Sequence, residues 1–268
     1  MNKTIVLIPH YNNNNGLIKS MQAISEHENI DVLIVDDGSN KNFINEQKIN
    51  SVAKFNGKIQ FLYLEKNSGI EIALNKGLEF IKNSNQYLYI ARLDCDDICL
   101  ENRFKIQEEF LNNHPNVYLV GSNATAINTK GDFLFNTRFP ETYSEIRKKM
   151  YLNSMHLHPC VMFRSEILTT VGLYPTNYKA AEDYAYFFEI VNRYETYNIK
   201  KSLMLFQIDD VGISATKRSL QVKNRIKIIY KHFYWGFWPI YGLVRNSIIF
   251  LIPNNILKYV KKNINTKK

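Results

Sequence analysis

Residues 91–97 read Ala91-Arg92-Leu93-Asp94-Cys95-Asp96-Asp97, three carboxylates within four positions directly after the apolar run Tyr87 to Ala91. Aspartate is poor in strands and good in turns, so the run reads as a buried strand and the acids as the loop where it stops. Carboxylates this close repel one another unless a proton or cation lies between them. Hard divalent ions such as Mg²⁺ and Mn²⁺ take oxygen ligands, often one or two carboxylates completed by a substrate's phosphates. A solvated Asp-rich turn is the plain alternative. Two further acidic pairs stand out. Asp36-Asp37 follows the apolar Val32-Leu33-Ile34-Val35 and reads either as a turn and helix cap or as an acceptor for a base N–H or ribose hydroxyl. Glu182-Asp183 opens an aromatic-rich helical stretch that runs to Tyr194. Acids there suit a first helical turn.

Elements that position these acids follow from the apolar pattern. Thr4-Ile5-Val6-Leu7-Ile8 is a continuous apolar strand ending at Pro9, followed by the loop His10-Tyr11-Asn12-Asn13-Asn14-Asn15. Leu17, Met21 and Ile24 recur at helical spacing over about 16–26. Further strands are expected at 32–35, 60–64 and 87–91, with a helix over about 70–82. Strands alternating with helices predict an α/β fold with a mostly parallel central sheet and helices on both faces. Right-handed crossovers place the carboxyl ends of those strands on one edge, where ligands bind in open α/β sheets. The second half is less regular. A strand is expected at 117–120, a turn at Gly131-Asp132 between hairpin-like segments, and another strand at 159–163.

Length and composition bound the remaining choices. The 268 residues suffice for a sizeable core, and 45% hydrophobic with 13% aromatic content is ordinary for a globular protein. Cys95, Cys99 and Cys160 are too few and too irregularly spaced for a disulfide framework or a zinc site. The chain enters its first strand almost at once with no signal-peptide pattern, so a cytoplasmic location is expected. There is no G-x-G-x-x-G after the first strand and no G-x-x-x-x-G-K-[ST] anywhere. The net charge of +9 is unevenly spread: residues 1–210 hold all 25 acids against 22 bases, whereas 211–268 hold twelve bases and no acid. Two modules are therefore expected, a near-neutral body over 1–215 and a basic, aromatic, amphipathic helical tail over 216–268.

Taken in order, the motifs resemble those of glycosyltransferase family 2, the inverting nucleotide-sugar transferases with the A-type fold. Ile8-Pro9-His10-Tyr11-Asn12 resembles the opening strand and loop, and Val35-Asp36-Asp37-Gly38-Ser39 the nucleotide-recognition segment. Asn67-Ser68-Gly69 with Ala73, Asn75, Lys76, Gly77 and Leu78 is similar to the third motif. Leu93-Asp94-Cys95-Asp96-Asp97 matches the metal motif and Glu182-Asp183-Tyr184 the catalytic-base motif. The resemblance covers residues 3 to about 215.

It implies a role for each position. Pro9 and Asp37 flank a uracil ring, with Asp37 accepting from the base; Tyr11, Asn67, Gly69, Arg92 and Asp94 complete the donor site. Asp94 lies near the ribose and the metal, Asp96 ligates Mn²⁺ or Mg²⁺ directly, and Asp97 either joins them or caps the following helix. Arg92 has two readings, pairing with the acid cluster or with the diphosphate. Asp183 is the base and Glu182 orients it or meets the acceptor. A sugar hydroxyl needs such a base, and an aspartate with an ordinary value of about 3.9 is ionised at neutral pH. The metal stabilises the leaving diphosphate as a Lewis acid, and in-line displacement inverts the anomeric centre.

Some residues carry competing readings. His156, His158 and Cys160 alternate as metal ligands would in a strand, but no fourth ligand is evident, so structural roles or a contact near the acceptor cleft are expected. Tyr174, Tyr178, Tyr184 and Tyr186 read either as an acceptor-sugar platform or as core. Where relatives carry a His after the base helix, this chain reads Phe206-Gln207-Ile208-Asp209-Asp210, and Asp209 or Asp210 are candidates for the metal side. Lys217 and Arg218 meet the diphosphate or begin the tail.

In the tail, Phe233 to Ile252 approaches membrane-spanning length but is interrupted by Gly236, Pro239, Gly242, Arg245 and Asn246. A segment lying in the interface of an anionic membrane fits better. Nucleic acid is disfavoured by Ile248-Ile249-Phe250-Leu251-Ile252, and packing against the body is the structural alternative. The expected activity is transfer of a hexose or N-acetylhexosamine from a UDP-sugar to a hydroxyl of a lipid-linked oligosaccharide. The resemblance implies bacterial O-antigen, capsule or exopolysaccharide assembly, with the enzyme peripheral at the inner membrane face. Competing readings are a sugar-phosphate nucleotidyltransferase, whose Gly-rich basic loop is missing, and an inactive sugar- or lipid-binding module, against which the intact Asp94, Asp96 and Asp183 speak.

Overall fold

The computed structural model describes residues 2–41, 43–208 and 217–252. Four parallel strands, β1 (Thr4–His10), β2 (Asp31–Asp36), β3 (Ile59–Tyr63) and β4 (Tyr89–Arg92), lie in the order β3-β2-β1-β4. They are joined by α1 (Asn14–Gln22), α2 (Glu46–Val52) and α3 (Ile70–Ser84). Alternate residues of the central strands face opposite sides. Ile5, Leu7, Leu33 and Val35 pack with Ala73, Leu74, Leu78 and Ile81 of α3. Val6, Ile8, Val32 and Ile34 pack with Leu17 and Met21 of α1 and Ile49 and Val52 of α2. Burial on both faces is why these strands read as unbroken apolar runs. Each Leu- or Ile-sized side chain so buried contributes about 1.5–3 kcal/mol. The mostly parallel sheet expected from the alternation is present.

Its second half is mixed and longer than the sequence suggests. After β5 (Ile98–Cys99) and α4 (Arg103–Asn113) comes β6 (Val117–Ile127), paired in a hairpin with β7 (Phe133–Asn136) across Gly131. Beyond α5 (Tyr143–Lys149) the strand expected at 159–163 is cut short. His158–Cys160 form a 3-10 turn closed by Cys160 N–H to Leu157 O at 2.9 Å, and β8 covers only Met162–Arg164. Pro159 cannot donate to a ladder, so the turn replaces the first half of the strand. β8 lies antiparallel between β4 and β6. Past α6 (Ile167–Thr170) and α7 (Glu182–Arg193), β9 (Glu195–Gln207) pairs parallel with β6 and antiparallel with β5.

The described part of the tail forms two helices docked on the body, α8 (Arg218–Lys231) and α9 (Phe237–Leu251). Val222, Ile228 and Ile229 are buried. Tyr151 Oη donates to His232 O at 2.8 Å, Lys231 pairs with Glu189 at 2.5 Å, and Arg245 Nη1 donates to Leu152 O at 2.9 Å. Gly242 lies against the Tyr151 carbonyl, with no room for a Cβ. Arg218 donates to Ile249 O at 2.7 Å and so begins this helical pair. Among the described residues no helix is long and apolar enough to cross a membrane.

Candidate functional site

In the order β3-β2-β1-β4 the connections diverge between β1 and β4, and a crevice opens there at the carboxyl ends of the strands. The loop after β1 and the acid loop after β4 meet in it. Pro9 occupies β1 beyond the last residue paired with β4, where its missing N–H costs no ladder bond, and its carbonyl accepts from Cys95 Sγ at 3.4 Å. His10 is buried. Its Nε2 accepts from Asn13 N–H at 3.2 Å, which assigns the proton to Nδ1, donating to Asp36 Oδ1 at 2.7 Å. Ser39 Oγ donates to the same oxygen at 2.6 Å. Asp36 is therefore a buried clamp between the first two loops, while the ring of Tyr11 is exposed at the crevice.

Asp37 Oδ1 accepts from Ser68 N–H and Oδ2 from Gly69 N–H, both at 2.9 Å. Burial pushes its value up, opposed by those two bonds, with the charges of Asp36 and Glu71 adding to the rise. The expected base-reading residue thus holds the Asn67-Ser68-Gly69 loop, and it retains lone pairs for a ligand N–H. Gly69 has φ +103° and stands against the Glu71 carboxylate.

The acid loop is organised by Arg92, which is 0% exposed. Its guanidinium donates to Leu7 O, to Asp94 Oδ1 at 2.5 Å and to His158 Nε2 at 3.4 Å. Of the two readings for Arg92, the structure shows pairing with the acid cluster, so it positions Asp94 from beneath. Asp96 adopts φ +76° and takes Asn13 Nδ2 on Oδ2 at 2.5 Å, while its backbone N–H donates to Gly16 O. A Cβ on Gly16 would stand 2.5 Å from Asp96 Oδ1, so glycine in the first turn of α1 is what lets the carboxylate in. Asp97 is buried and accepts from Gln207 N–H at 3.0 Å, tying the loop to the end of β9 rather than capping a helix. Burial, then the Asp94 charge, holds its carboxyl well above the usual range.

Glu182 and Asp183 open α7 after Ala180, which has φ +64° without being glycine. Such backbone is strained and persists where its surroundings enforce it. Asn224 of α8 donates to Lys179 O at 2.8 Å, and Ala181 N–H to Tyr178 O at 2.8 Å. Glu182 is 7% exposed, and its Oε2 has no hydrogen-bond partner. Burial, then the neighbouring Asp183 charge, pushes its value up to about 7. Asp183 is half-buried.

His158 and Tyr174 join the acid loop to α7. Tyr174 Oη meets His158 Nε2 at 3.0 Å, and both side chains lie in the fields of Arg92, Asp94 and Asp183. Because Arg92 donates to Nε2, the imidazole is neutral, and burial lowers its value to about 4. Glu71 similarly acts on both Asp37 and Glu182. The acid loop and the start of α7 are thus linked through His158 and Tyr174, whose rings pack on Phe187 and Tyr186.

Other expectations resolve as core. His156 bonds Asn198 Oδ1 at 2.9 Å and Thr196 Oγ1 at 3.2 Å, and Cys160 Sγ lies 2.9 Å from Ser122 Oγ, so the His-x-His-x-Cys residues do not converge. Tyr174, Tyr184 and Tyr186 are buried, with Tyr184 Oη on Met150 O and Tyr186 Oη on Gly172 O, which excludes these three as an acceptor platform, while Tyr178 is half-buried against the core. Among the described residues no three His, Cys, Asp or Glu side chains are disposed to hold a metal ion. Asp209 and Asp210 lie outside the described residues. Asp94 and Asp96 are both half-buried oxygen donors, and two carboxylates fit a hard divalent cation that takes its remaining ligands from phosphates. Sequence reasoning missed Glu71, the linking role of Tyr174, and Arg225 of α8. Only the acid at the start of a helix, in the case of Glu71, gave any signal.

Comparison with known proteins bears on the family and the fold. The profile of glycosyl transferase family 2 matches residues 5–172, ending short of Glu182-Asp183. The amylovoran biosynthesis glycosyltransferase AmsE of Erwinia amylovora is 28% identical over 195 residues, 70% of this chain and 68% of that one. Residues 1–349 of S. aureus TarS, solved in complex with UDP, superpose with a TM-score of 0.62 at 19% identity, over 85% of this chain and 65% of that one. The mannosyltransferase PcManGT from Pyrobaculum calidifontis, solved with GDP-Man and Mn²⁺, gives 0.62 at 15% identity, over 91% and 68%. This chain thus spans about two thirds of each. At those identities the two structures establish the A-type transferase fold, and the profile establishes the rest: the chain belongs to glycosyltransferase family 2.

Proposed function

We propose that this transferase moves a hexose or N-acetylhexosamine from a UDP-sugar to a hydroxyl of a lipid-linked oligosaccharide, with inversion, in bacterial surface-polysaccharide synthesis. The observation that supports it is the chain of contacts from Asp94 through Arg92 to His158 and Tyr174, whose rings pack on Phe187 and Tyr186 of the helix that Glu182 and Asp183 open. Leaving group and nucleophile occupy opposite faces of an anomeric carbon in an in-line displacement, and the reading assigns Asp94 to the first side and Asp183 to the second. Asp37, Pro9, Tyr11 and the Asn67–Gly69 loop receive the nucleoside. UDP is supported by the TarS complex, while the GDP-Man complex of PcManGT shows a second nucleotide on the same fold.

Asp94 and Asp96 would hold Mn²⁺ or Mg²⁺, which when bound neutralises charge developing on the diphosphate. Arg92 fixes the Asp94 carboxylate, and Asn13 with the first turn of α1 fixes that of Asp96. Asp183 accepts the proton of the acceptor hydroxyl, and Glu182, protonated in part near neutral pH, donates a hydrogen bond toward the acceptor or Asp183. Asp183→Asn is expected to lower kcat by about 10²–10⁴-fold while UDP affinity stays within twofold of the parent. Measurement is by UDP release from a panel of UDP-sugars and by UDP titration. Parental turnover in the variant would remove Asp183 from the mechanism.

Association with a membrane surface belongs to the same proposal, in altered form. The docked helix α9 presents Phe237, Ile240, Tyr241, Val244, Ile248 and Leu251 to solvent, and Trp235 just before it is 88% exposed. These positions share one helical face, opposite the buried Pro239, Gly242 and Asn246. Together with the acid-free basic sequence from 211 onward, that face suits the interface of an anionic bilayer.

A further inference from the structure

Arg225 is a half-buried guanidinium in an unusual state. Asn224, bonded to Lys179 O, sets the register of α8 so that the following residue meets the start of α7. The Arg225 guanidinium lies 5.9 Å from the centre of the Tyr184 ring, and Nη1 reaches only Asn246 Oδ1 at 3.5 Å. Nε is buried with no partner. Arg245, the residue before Asn246 on α9, donates Nη1 to Leu152 O. Among the described residues no carboxylate stands within ion-pair distance of either guanidinium. Asp183 is within electrostatic reach of Arg225, and burial pushes the Arg225 value down. A charged donor group with no anion beside it is left under-compensated, and a half-buried side chain is one that a ligand can still reach.

The ligand's chemistry follows from the count and the place. Two guanidinium forks suit a phosphate, with its several oxygens and more than one charge, better than a carboxylate that one fork satisfies. The place is beside the base, which in an inverting displacement lies across the anomeric carbon from the departing diphosphate. A cation there does not assist departure; it reads the acceptor. We propose that Arg225 and Arg245 form a subsite for a phosphate group of the acceptor, adjacent to the hydroxyl that Asp183 deprotonates. The assignment to the acceptor rests on the reading of Asp183 as base.

The test titrates the full chain, saturated with UDP, with three probes: decyl diphosphate, a ribitol phosphodiester oligomer, and neutral octyl glucoside. One phosphate probe is expected to bind more tightly than octyl glucoside. Arg225→Gln should lower that affinity ratio by about 10–100-fold, the loss of one or two charge-assisted bonds. Arg225→Lys should lower it less, and Lys231→Gln, an exposed cation on the same helix, should not change it. Preference for decyl diphosphate identifies a lipid diphosphate as the source, and preference for the oligomer a phosphodiester backbone. Should Arg225→Gln fail to fold, Arg225→Lys carries the comparison. Equal binding of all three probes, or an unchanged ratio in the variants, overturns the subsite. Turnover surviving in Asp183→Asn overturns the base instead, and leaves the titration free to decide the subsite.

Discussion

At the scale of single residues, Glu182 shows how far environment moves a side chain from what its identity implies. Its value, raised from 4.5 to about 7, means that the folded chain holds a proton which the unfolded chain releases. The associated stability is fully present below pH 4.5 and is lost as pH rises through 7. Replacing the carboxyl by an amide removes the penalty, so Glu182→Gln should melt above the parent at pH 8, by about 1–3 kcal/mol in unfolding free energy, with the gap closing by pH 4.5. Thermal melts across that range decide it, and a variant less stable at pH 8 would mean the buried oxygen has a partner. Residue types and their order made Asp94, Asp96, Asp183 and Asp37 legible in the sequence, because carboxylates at strand ends and a helix start are local patterns. Arg92 was legible only as an alternative. Which of its partners wins depends on Leu7 and His158, which lie 85 and 66 residues away. Arg225 carried no local signal: its neighbours come from α7 and α9.

At the scale of elements, the four parallel strands and their helices were readable because burial on both faces writes continuous apolar runs. The strand expected at 159–163 and the sugar platform of tyrosines were not, since a proline turn and a wholly aromatic core depend on tertiary packing. The meeting of α1 with the acid loop is the element contact on which the site depends most. Gly16→Ala places a methyl where the Asp96 carboxylate now sits. Either α1 or Asp96 must move, at about 1–3 kcal/mol. Such a variant should stay folded yet bind UDP several-fold more weakly in the presence of Mn²⁺, with little change in its absence. Titration with and without the ion makes the comparison, and equal weakening in both would detach Asp96 from the metal.

At the scale of the whole molecule, charge asymmetry in the sequence separated a body from a basic segment, but could not tell a free tail from a docked pair of helices. Docking turns the apolar residues of α9 into a fixed face, so its effect on location becomes measurable. Flotation with vesicles rich in phosphatidylglycerol should recover the full chain, and Trp235→Ser with Phe237→Ser should reduce recovery several-fold. Equal recovery would assign the face to some other contact. The order of parts along the polypeptide has a last implication. Pro9, Tyr11, Asp37, Asn67, Gly69, Arg92, Asp94 and Asp96, the residues proposed to grip the nucleotide and its metal, lie within the first hundred residues, inside the span shared with the family at large, whereas Asp183, Arg225 and Arg245 fall after it stops at 172. Descendants of such an ancestor can inherit one currency and change customers: new polymers become accessible by rewriting the last third of the gene while the first third stays still.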